Sequence, residues 1–299
     1  MPLLKVEAEK LSENDLVRGV IEEVIDRDDL FAILPFTRTD GKAYVYNRET
    51  SVVEAVFLDP NEEVPEDAAK FQEVVTKLRI LAHDVDIDKF LATTMSDANA
   101  QVAVQLAAKA KGLARKFRRT LIVGDNTTNP KEFDGLAKLV APNAGQNIAL
   151  NGSLSLSALD ELLDAIPNGA DAIFMRSGTV RAYRALLRAA GGTTPEHLML
   201  PQFDGRPVLA HNGTPILVND FIPATGDVGS EVCDVYAVRL NEDDGVHGLF
   251  GGETGAGMAV EAIGTVPNKD SWRYRVKWYA GLALKSTRSL ARLTGVTNV

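Results

Sequence analysis

The chain of 299 residues has one cysteine, no long uncharged apolar run and no excess of basic residues. The single cysteine, Cys233, excludes a disulfide framework within the chain. Because no apolar run resembles a membrane span or a secretory signal, we expect a protein that is made and used in a cytoplasm. The net charge of −9 argues against tight, general nucleic-acid binding, so any contact with DNA has to come from a local basic patch.

A local catalytic signature is also missing. The glycine-rich segment 251–257 has the glycine separation of a phosphate-binding loop, but Met258 and Ala259 follow where that loop needs lysine and serine or threonine. Cys233 precedes an apolar strand pattern, which is typical of a small buried side chain rather than of a nucleophile. The four histidines are scattered without the spacing of metal ligands. The sequence therefore predicts no enzyme and no catalytic, cofactor-binding or metal-binding residue.

Three alternating carboxylates, Asp84, Asp86 and Asp88, resemble the start of a calcium loop. An EF-hand needs glycine at the sixth position and glutamate at the twelfth, where this chain has Lys89 and Met95. On an extended strand the three carboxylates would share one face. A simple ion site on that face stays open as a lower-ranked alternative.

An unusually long ribbon is predicted in the first third of the chain. Residues 31–39 and 42–57 have extended patterns on either side of an Asp40-Gly41 turn, and 74–87 alternates as one strand. Such a strand would be about 45 Å long, roughly twice the usual length. Since a compact domain has too little core to cover it, we expect a projecting hairpin that lies on a neighbouring copy of the chain.

A long helix is predicted at about 96–119, from apolar residues spaced three and four apart. Its last turns are basic, which fits either helix-dipole complementation or a surface facing nucleic acid. An earlier helix is predicted from the apolar stripe within 16–25, and an α/β unit follows at 157–192. The remainder is rich in strands, with the clearest alternation at 273–284.

Four segments, in this order along the chain, carry a resemblance to a known family. They are ILAHDVDI at 80–87, GD at 124–125 with FDGL at 133–136, GTPILVNDFIP at 213–223 and KWYAGLA at 277–283. Together with the order of predicted elements, they make the chain resemble the tailed-phage major capsid proteins of the Hong Kong 97 type. The resemblance covers nearly the whole chain and implies an α+β fold.

That resemblance implies a division of the chain into named parts. Residues 1–30 would form an N-terminal arm and 31–77 the projecting E-loop. Residues 78–145 and 256–299 would form a peripheral P-domain, with the spine helix at about 96–119. Residues 146–255 would form a central A-domain.

It also implies the partners. Copies would assemble into pentamers and hexamers of an icosahedral phage head around double-stranded DNA, so the protein would reside in the virion after assembly in the host cytoplasm. Residues 115–119, or Arg273, Arg275 and Lys277, would face the DNA without sequence specificity. We further expect a portal, a possible decoration protein and, because little sequence precedes the E-loop, a separate scaffolding protein or none. Lys42 has no identified crosslinking partner, so we expect no covalent crosslinks between copies.

Two other functions stay open at this stage. An encapsulin-like compartment has the same fold and holds cargo enzymes instead of DNA. A cytoplasmic α/β enzyme would use the glycine-rich loop near Gly252 as a ligand site.

Overall fold

The computed structural model describes residues 29–51, 55–64, 66, 68–89, 98–191, 197–199, 207–226, 231–252 and 258–297. Within them the helices are α1 (Asp29–Ile33), α2 (Ala98–Val123), α3 (Leu136–Val140), α4 (Leu156–Asp164) and α5 (Ser177–Ala189). The strands, in chain order, are β1 (Phe36–Arg38), β2 (Ala43–Ser51), β3 (Lys70–Lys77), β4 (Arg79–Asp88), β5 (Asn147–Gly152), β6 (Ala172–Met175), β7 (His197–Met199), β8 (Pro207–His211), β9 (Thr214–Val218), β10 (Cys233–Val238), β11 (Val246–Gly251), β12 (Met258–Thr265), β13 (Ser271–Leu284) and β14 (Leu290–Val296).

A five-stranded sheet is organised around the long strand β13. Along one edge, β13 pairs directly with β12 and, further along, with β11, and β1 pairs with β11. The other edge of β13 pairs with β4. Helix α2 crosses this sheet and buries Phe117 against Trp278, with ring centroids 4.8 Å apart. The Phe117 ring is also in contact with the rings of Phe31, Phe36 and Phe133. Aromatic packing therefore fixes the long helix to the sheet.

A seven-stranded mixed sheet forms the second layer, in the order β5-β14-β10-β6-β9-β8-β7. Its central strand β6 is buried along its whole length and pairs with β10 and β9. Helices α4 and α5 flank β6 in the chain, which is the strand–helix alternation expected of an α/β unit.

The third sheet is a hairpin of β2 and β3, which pair only with each other. The prediction of one continuous strand from 74 to 87 is wrong, because the chain changes sheets at Leu78. The Leu78 side chain packs over Gly251 and Gly281, and its N–H bonds to the Lys42 carbonyl oxygen. Leu78 therefore anchors the base of the hairpin, and β4 beyond it belongs to the body.

Other predictions need smaller corrections. Residues 31–39 are not wholly extended, because Leu30 and Leu34 are joined by a helical hydrogen bond and both are buried. Helix α2 runs past 119 to Val123, since Leu121 and Ile122 continue its buried side. The helix predicted around 16–25 lies outside the described residues. No helix in the described ranges is long and apolar enough to cross a bilayer.

The predicted domain division stays a prediction, and two strands lie in sheets that differ from it. β14 was assigned to the P-domain but pairs with β10 and β5 in the seven-stranded sheet. β11 was assigned to the A-domain but pairs with β13 in the five-stranded sheet. These pairings join residues distant in sequence, so local patterns could not reveal them. We propose that the boundaries follow the sheets.

The aromatic cluster predicts a matched pair of substitutions. Phe117→Ala should lower the free energy of unfolding by about 3–5 kcal/mol, because it leaves a cavity in a fully buried site. Phe57→Ala should change it by less than about 0.5 kcal/mol, because Phe57 is 102% exposed. Denaturant titrations of both variants test this; equal losses would contradict the assigned core.

Candidate assembly surface

The two faces of the hairpin differ in exposure. Opposite residues Val45 and Val75 share one face, and Phe71, opposite Glu49, lies on the same side. These apolar side chains are 53%, 48% and 68% exposed, respectively. The other face carries half-buried side chains and lies on the body. We call the exposed side the outer face and the half-buried side the inner face.

Two inner-face side chains fasten the hairpin to the body. The Arg48 guanidinium donates to the carbonyl oxygens of Leu284 and Lys285, each at 2.7 Å, and the Tyr46 hydroxyl donates to Leu284. Those carbonyls lie where β13 ends and would otherwise lack a strand partner on this side. Burial raises the pKa of Tyr46, so the phenol remains a donor at neutral pH. The bonds fix how the hairpin leaves the body.

The connection between β2 and β3 is apolar as well as acidic. Phe57 is 102% exposed, Val56 61% and Val64 71%. Asp59 and Glu62 form a local turn, in which the Glu62 carboxylate accepts from the Asp59 N–H at 2.8 Å. Exposed large apolar side chains therefore occur both on the outer face and in the connection, as is common at interaction sites.

A buried histidine lies beneath the base of the hairpin. The His247 side chain is on β11, fully buried, with its ring edge-on to Tyr44 of β2 at 5.6 Å. Burial, and next the neighbouring Lys285 ammonium, lower the pKa of His247 to about 4. The imidazole is therefore neutral at pH 7 and acts as a packing surface for the hairpin.

Two of the three strand carboxylates that suggested an ion site, Asp84 and Asp86, are paired with arginines instead. In the register of β4 with β13, Asp84 lies opposite Arg275 and Asp86 opposite Arg273. Each guanidinium makes a two-bond contact with its carboxylate, at 2.6–2.9 Å. The arginines lower the pKa of both carboxyl groups mainly through these hydrogen bonds. In the described ranges no three His, Cys, Asp or Glu side chains form a potential metal site.

The basic side chains of β13 and of α2 differ in their partners. Arg273, Arg275 and Lys277 are all neutralised, the last by Glu261 of β12. In helix α2, Lys116 pairs with Glu132, whereas Arg115 stacks over the Phe221 ring at 5.6 Å. Arg119 is exposed. Within the described ranges, Arg115 and Arg119 of α2 have no carboxylate partner, whereas the three basic side chains of β13 do.

The GD and FDGL segments form one tight junction after α2. Gly135 donates its N–H to the Gly124 carbonyl oxygen at 2.8 Å, and a Cβ on Gly124 would overlap the Phe133 carbonyl oxygen. The Thr127 N–H, above other donors, holds the pKa of Asp125 well below its usual range. The Lys138 ammonium lies 3.2 Å from the same carboxylate. The glycines are needed because two backbone segments touch here.

Cys233 is buried beside Thr179, with Sγ and Oγ1 3.0 Å apart, and burial raises the pKa of its thiol. This environment fits the packing role expected for it and disfavours a thiolate. Residues 253–257 of the glycine-rich loop lie outside the described ranges.

The comparison with solved structures identifies the fold. The chain superimposes on the SrpI encapsulin of Synechococcus elongatus PCC 7942 with a TM-score of 0.74 and 22% identity, covering 92% of this chain and 89% of that one. The capsid of a native GTA particle gives a TM-score of 0.66 at 14% identity, covering 92% and 90%. A structure of Mycobacterium phage Bobi gives 0.61 at 13% identity, covering 89% of both chains.

These neighbours have the Hong Kong 97 type capsid fold, and the chain has that fold. The predicted fold class, α+β of this type, is confirmed. No protein-family model and no curated protein sequence matches the chain. The neighbours are shell and capsid proteins.

The buried His247 predicts how stability depends on pH. As the pH falls, the unfolded chain protonates this histidine before the folded chain does, because its pKa is lower in the folded state. The free energy of unfolding therefore decreases as the pH drops from about 6.5 towards 4. His247→Gln removes this contribution, which is at most about 3 kcal/mol. Denaturant titrations between pH 7 and pH 4 should therefore show a flatter profile for the variant.

The matched control is His83→Gln, which replaces an exposed histidine of β4. Identical profiles for wild type and His247→Gln would contradict a neutral, buried imidazole.

Proposed function

We propose that the chain is the structural subunit of an icosahedral phage head that encloses double-stranded DNA. Copies assemble into pentamers and hexamers, and the hairpin of each copy lies on a neighbour. The capsid fold supports this proposal, and one observation carries it: Val45, Phe71 and Val75 on the outer face of the hairpin are apolar yet 48–68% exposed in the described part of the chain. Polar side chains, among them Asn47 and Glu73, lie between them on the same face.

The argument rests on the cost of that exposure. A lone two-stranded hairpin is only marginally stable in water. Here the inner face is fastened by Arg48 and Tyr46, while Val45, Phe71 and Val75 remain in solvent. Burying these side chains against another copy removes apolar surface from water without disturbing the subunit's own core. The subunit is therefore suited to being covered by its neighbours.

The outer face predicts an assembly defect without unfolding. Phe71→Asp combined with Val75→Asp should leave the thermal midpoint of the subunit nearly unchanged, because both side chains are already exposed. The same change should prevent shell formation, because it places charges in a contact that has to be dry. Sedimentation velocity with negative-stain micrographs separates subunits from shells.

Ile263→Asp is the matched control, an exposed apolar residue on β12 in the body. Normal shells from the Phe71 and Val75 variant would contradict the proposed contact.

We further propose that the basic end of α2, rather than β13, contacts packaged DNA. Arg115 and Arg119 are exposed on α2, whereas the basic side chains of β13 are held by carboxylates. A contact of this kind recognises phosphate and carries no sequence preference. It reconciles an acidic chain with a DNA-filled shell, since only a local patch has to be positive.

The α2 patch predicts a salt-dependent DNA affinity. Arg115→Ala with Arg119→Ala should weaken binding of a short labelled duplex by unassembled protein and lower the log–log salt slope by about two. Arg288→Ala removes an exposed arginine elsewhere and should change neither. An unchanged slope in the double variant would assign DNA contact to another surface.

An encapsulin-like compartment is the second candidate. The observation that favours it is the SrpI encapsulin match, at 22% identity and a TM-score of 0.74, against 13–14% for the capsid matches described above. Nuclease treatment of particles purified from their natural source distinguishes the two. Protected double-stranded DNA supports the phage head, whereas particles with enclosed enzyme and no DNA support the compartment.

The remaining expectations follow from the phage-head proposal. The protein would be assembled in the host cytoplasm and reside in the virion. A separate scaffolding protein, a portal and a possible decoration protein stay predicted partners. Shells would contain no covalent links between copies, so denaturing gels of particles should give one band of subunit mass.

A further inference from the structure

One side of helix α5 carries an arginine stripe, Arg181, Arg184 and Arg188, at spacings of three and four. Residues so spaced lie along the same side of a helix. All three side chains are exposed. Among the residues that the structure describes, none of the three guanidinium groups has a hydrogen-bond or ion-pair partner.

This lack of partners contrasts with other arginines of the body. Arg239 is bound to Asp244 at 2.9 Å and Arg292 to Asp234 at 2.6 Å. Arg273 and Arg275 are held by the carboxylates of β4. The fold thus supplies carboxylates for many of its arginines but not for the stripe.

Helix α4 carries the opposite charge, in the same layer of the molecule. Asp160, Glu161 and Asp164 are exposed on its outward side, opposite the buried Leu159 and Leu162. Asp160 is engaged by His211 and Asn212. In the described part of the chain, the carboxylates of Glu161 and Asp164 have no partner.

A buried contact fixes the two helices relative to each other. The His211 ring lies between them, with Nδ1 3.2 Å from the Tyr183 hydroxyl of α5 and Nε2 3.0 Å from Asp160 of α4. Tyr183 is fully buried and also donates to the Ala210 carbonyl oxygen. The two charged sides are therefore presented by a rigid unit, and they do not neutralise each other within one copy.

Rings of identical subunits need two different, complementary surfaces on each copy, because every contact is head to tail. A basic side and an acidic side on neighbouring helices meet that requirement. We propose that the arginine stripe of α5 pairs with Glu161 and Asp164 of α4 in the next copy around a ring. The inference rests on the proposed shell function and names a surface for its ring contact.

A charge-swap experiment tests the pairing. Arg181→Glu with Arg184→Glu, and separately Glu161→Arg with Asp164→Arg, should each reduce the assembled fraction about tenfold or more at low salt. Combining the four substitutions should restore assembly to within about twofold, because opposite charges again face each other. Circular dichroism should show unchanged folding in all variants, since every changed residue is exposed.

Controls separate the possible outcomes. Arg288→Glu makes a similar charge change at another exposed site and should leave assembly intact. Loss of assembly that the combined variant does not rescue would overturn the pairing. Arginine variants that form normal shells but bind less DNA would also overturn it, because the stripe would then contact DNA phosphate rather than another copy. If wild-type protein forms no shells, the proposed function fails; wild-type shells with unaffected variants contradict only this interface.

Discussion

The orientation of the hairpin depends on the two carbonyl groups where β13 ends. Arg48 and Tyr46 bond to the Leu284 and Lys285 carbonyl oxygens, so the inner face is held while the outer face stays in solvent. If the hairpin packed wholly on its own body, no apolar side would remain for another copy. The hydrogen bonds from Arg48 and Tyr46 satisfy these backbone carbonyls and hold the hairpin with its outer face exposed. That face is the surface proposed to contact another copy.

The body beneath the hairpin has a packed core and several paired charges. Phe117 and Trp278 fasten α2 to the five-stranded sheet, and cross-strand pairs such as Asp84–Arg275 neutralise the sheet's polar side. Among the described residues, the arginine stripe lacks charge partners and Val45, Phe71 and Val75 of the hairpin remain exposed. The proposed contacts between copies would therefore not require rearrangement of the subunit interior.

Sequence patterns predicted the parts that depend on neighbours in the chain. The hairpin, the long helix and the alternation of β13 follow from local periodicity, and the order of segments indicated the fold. The break at Leu78 and the pairing of Asp86 with Arg273 depend on strand register, which a single sequence does not provide. The arginine stripe of α5 was not identified from the sequence, and its lack of charge partners among the described residues depends on the tertiary structure.

The central claim is that the outer face of the hairpin is covered by a neighbouring copy. A cryo-electron microscopy map of particles formed by the wild-type protein tests it most directly. The account predicts closed shells in which Val45, Phe71 and Val75 contact an adjacent subunit. Particles in which these side chains face solvent, or a protein that remains monomeric at high concentration, would contradict it.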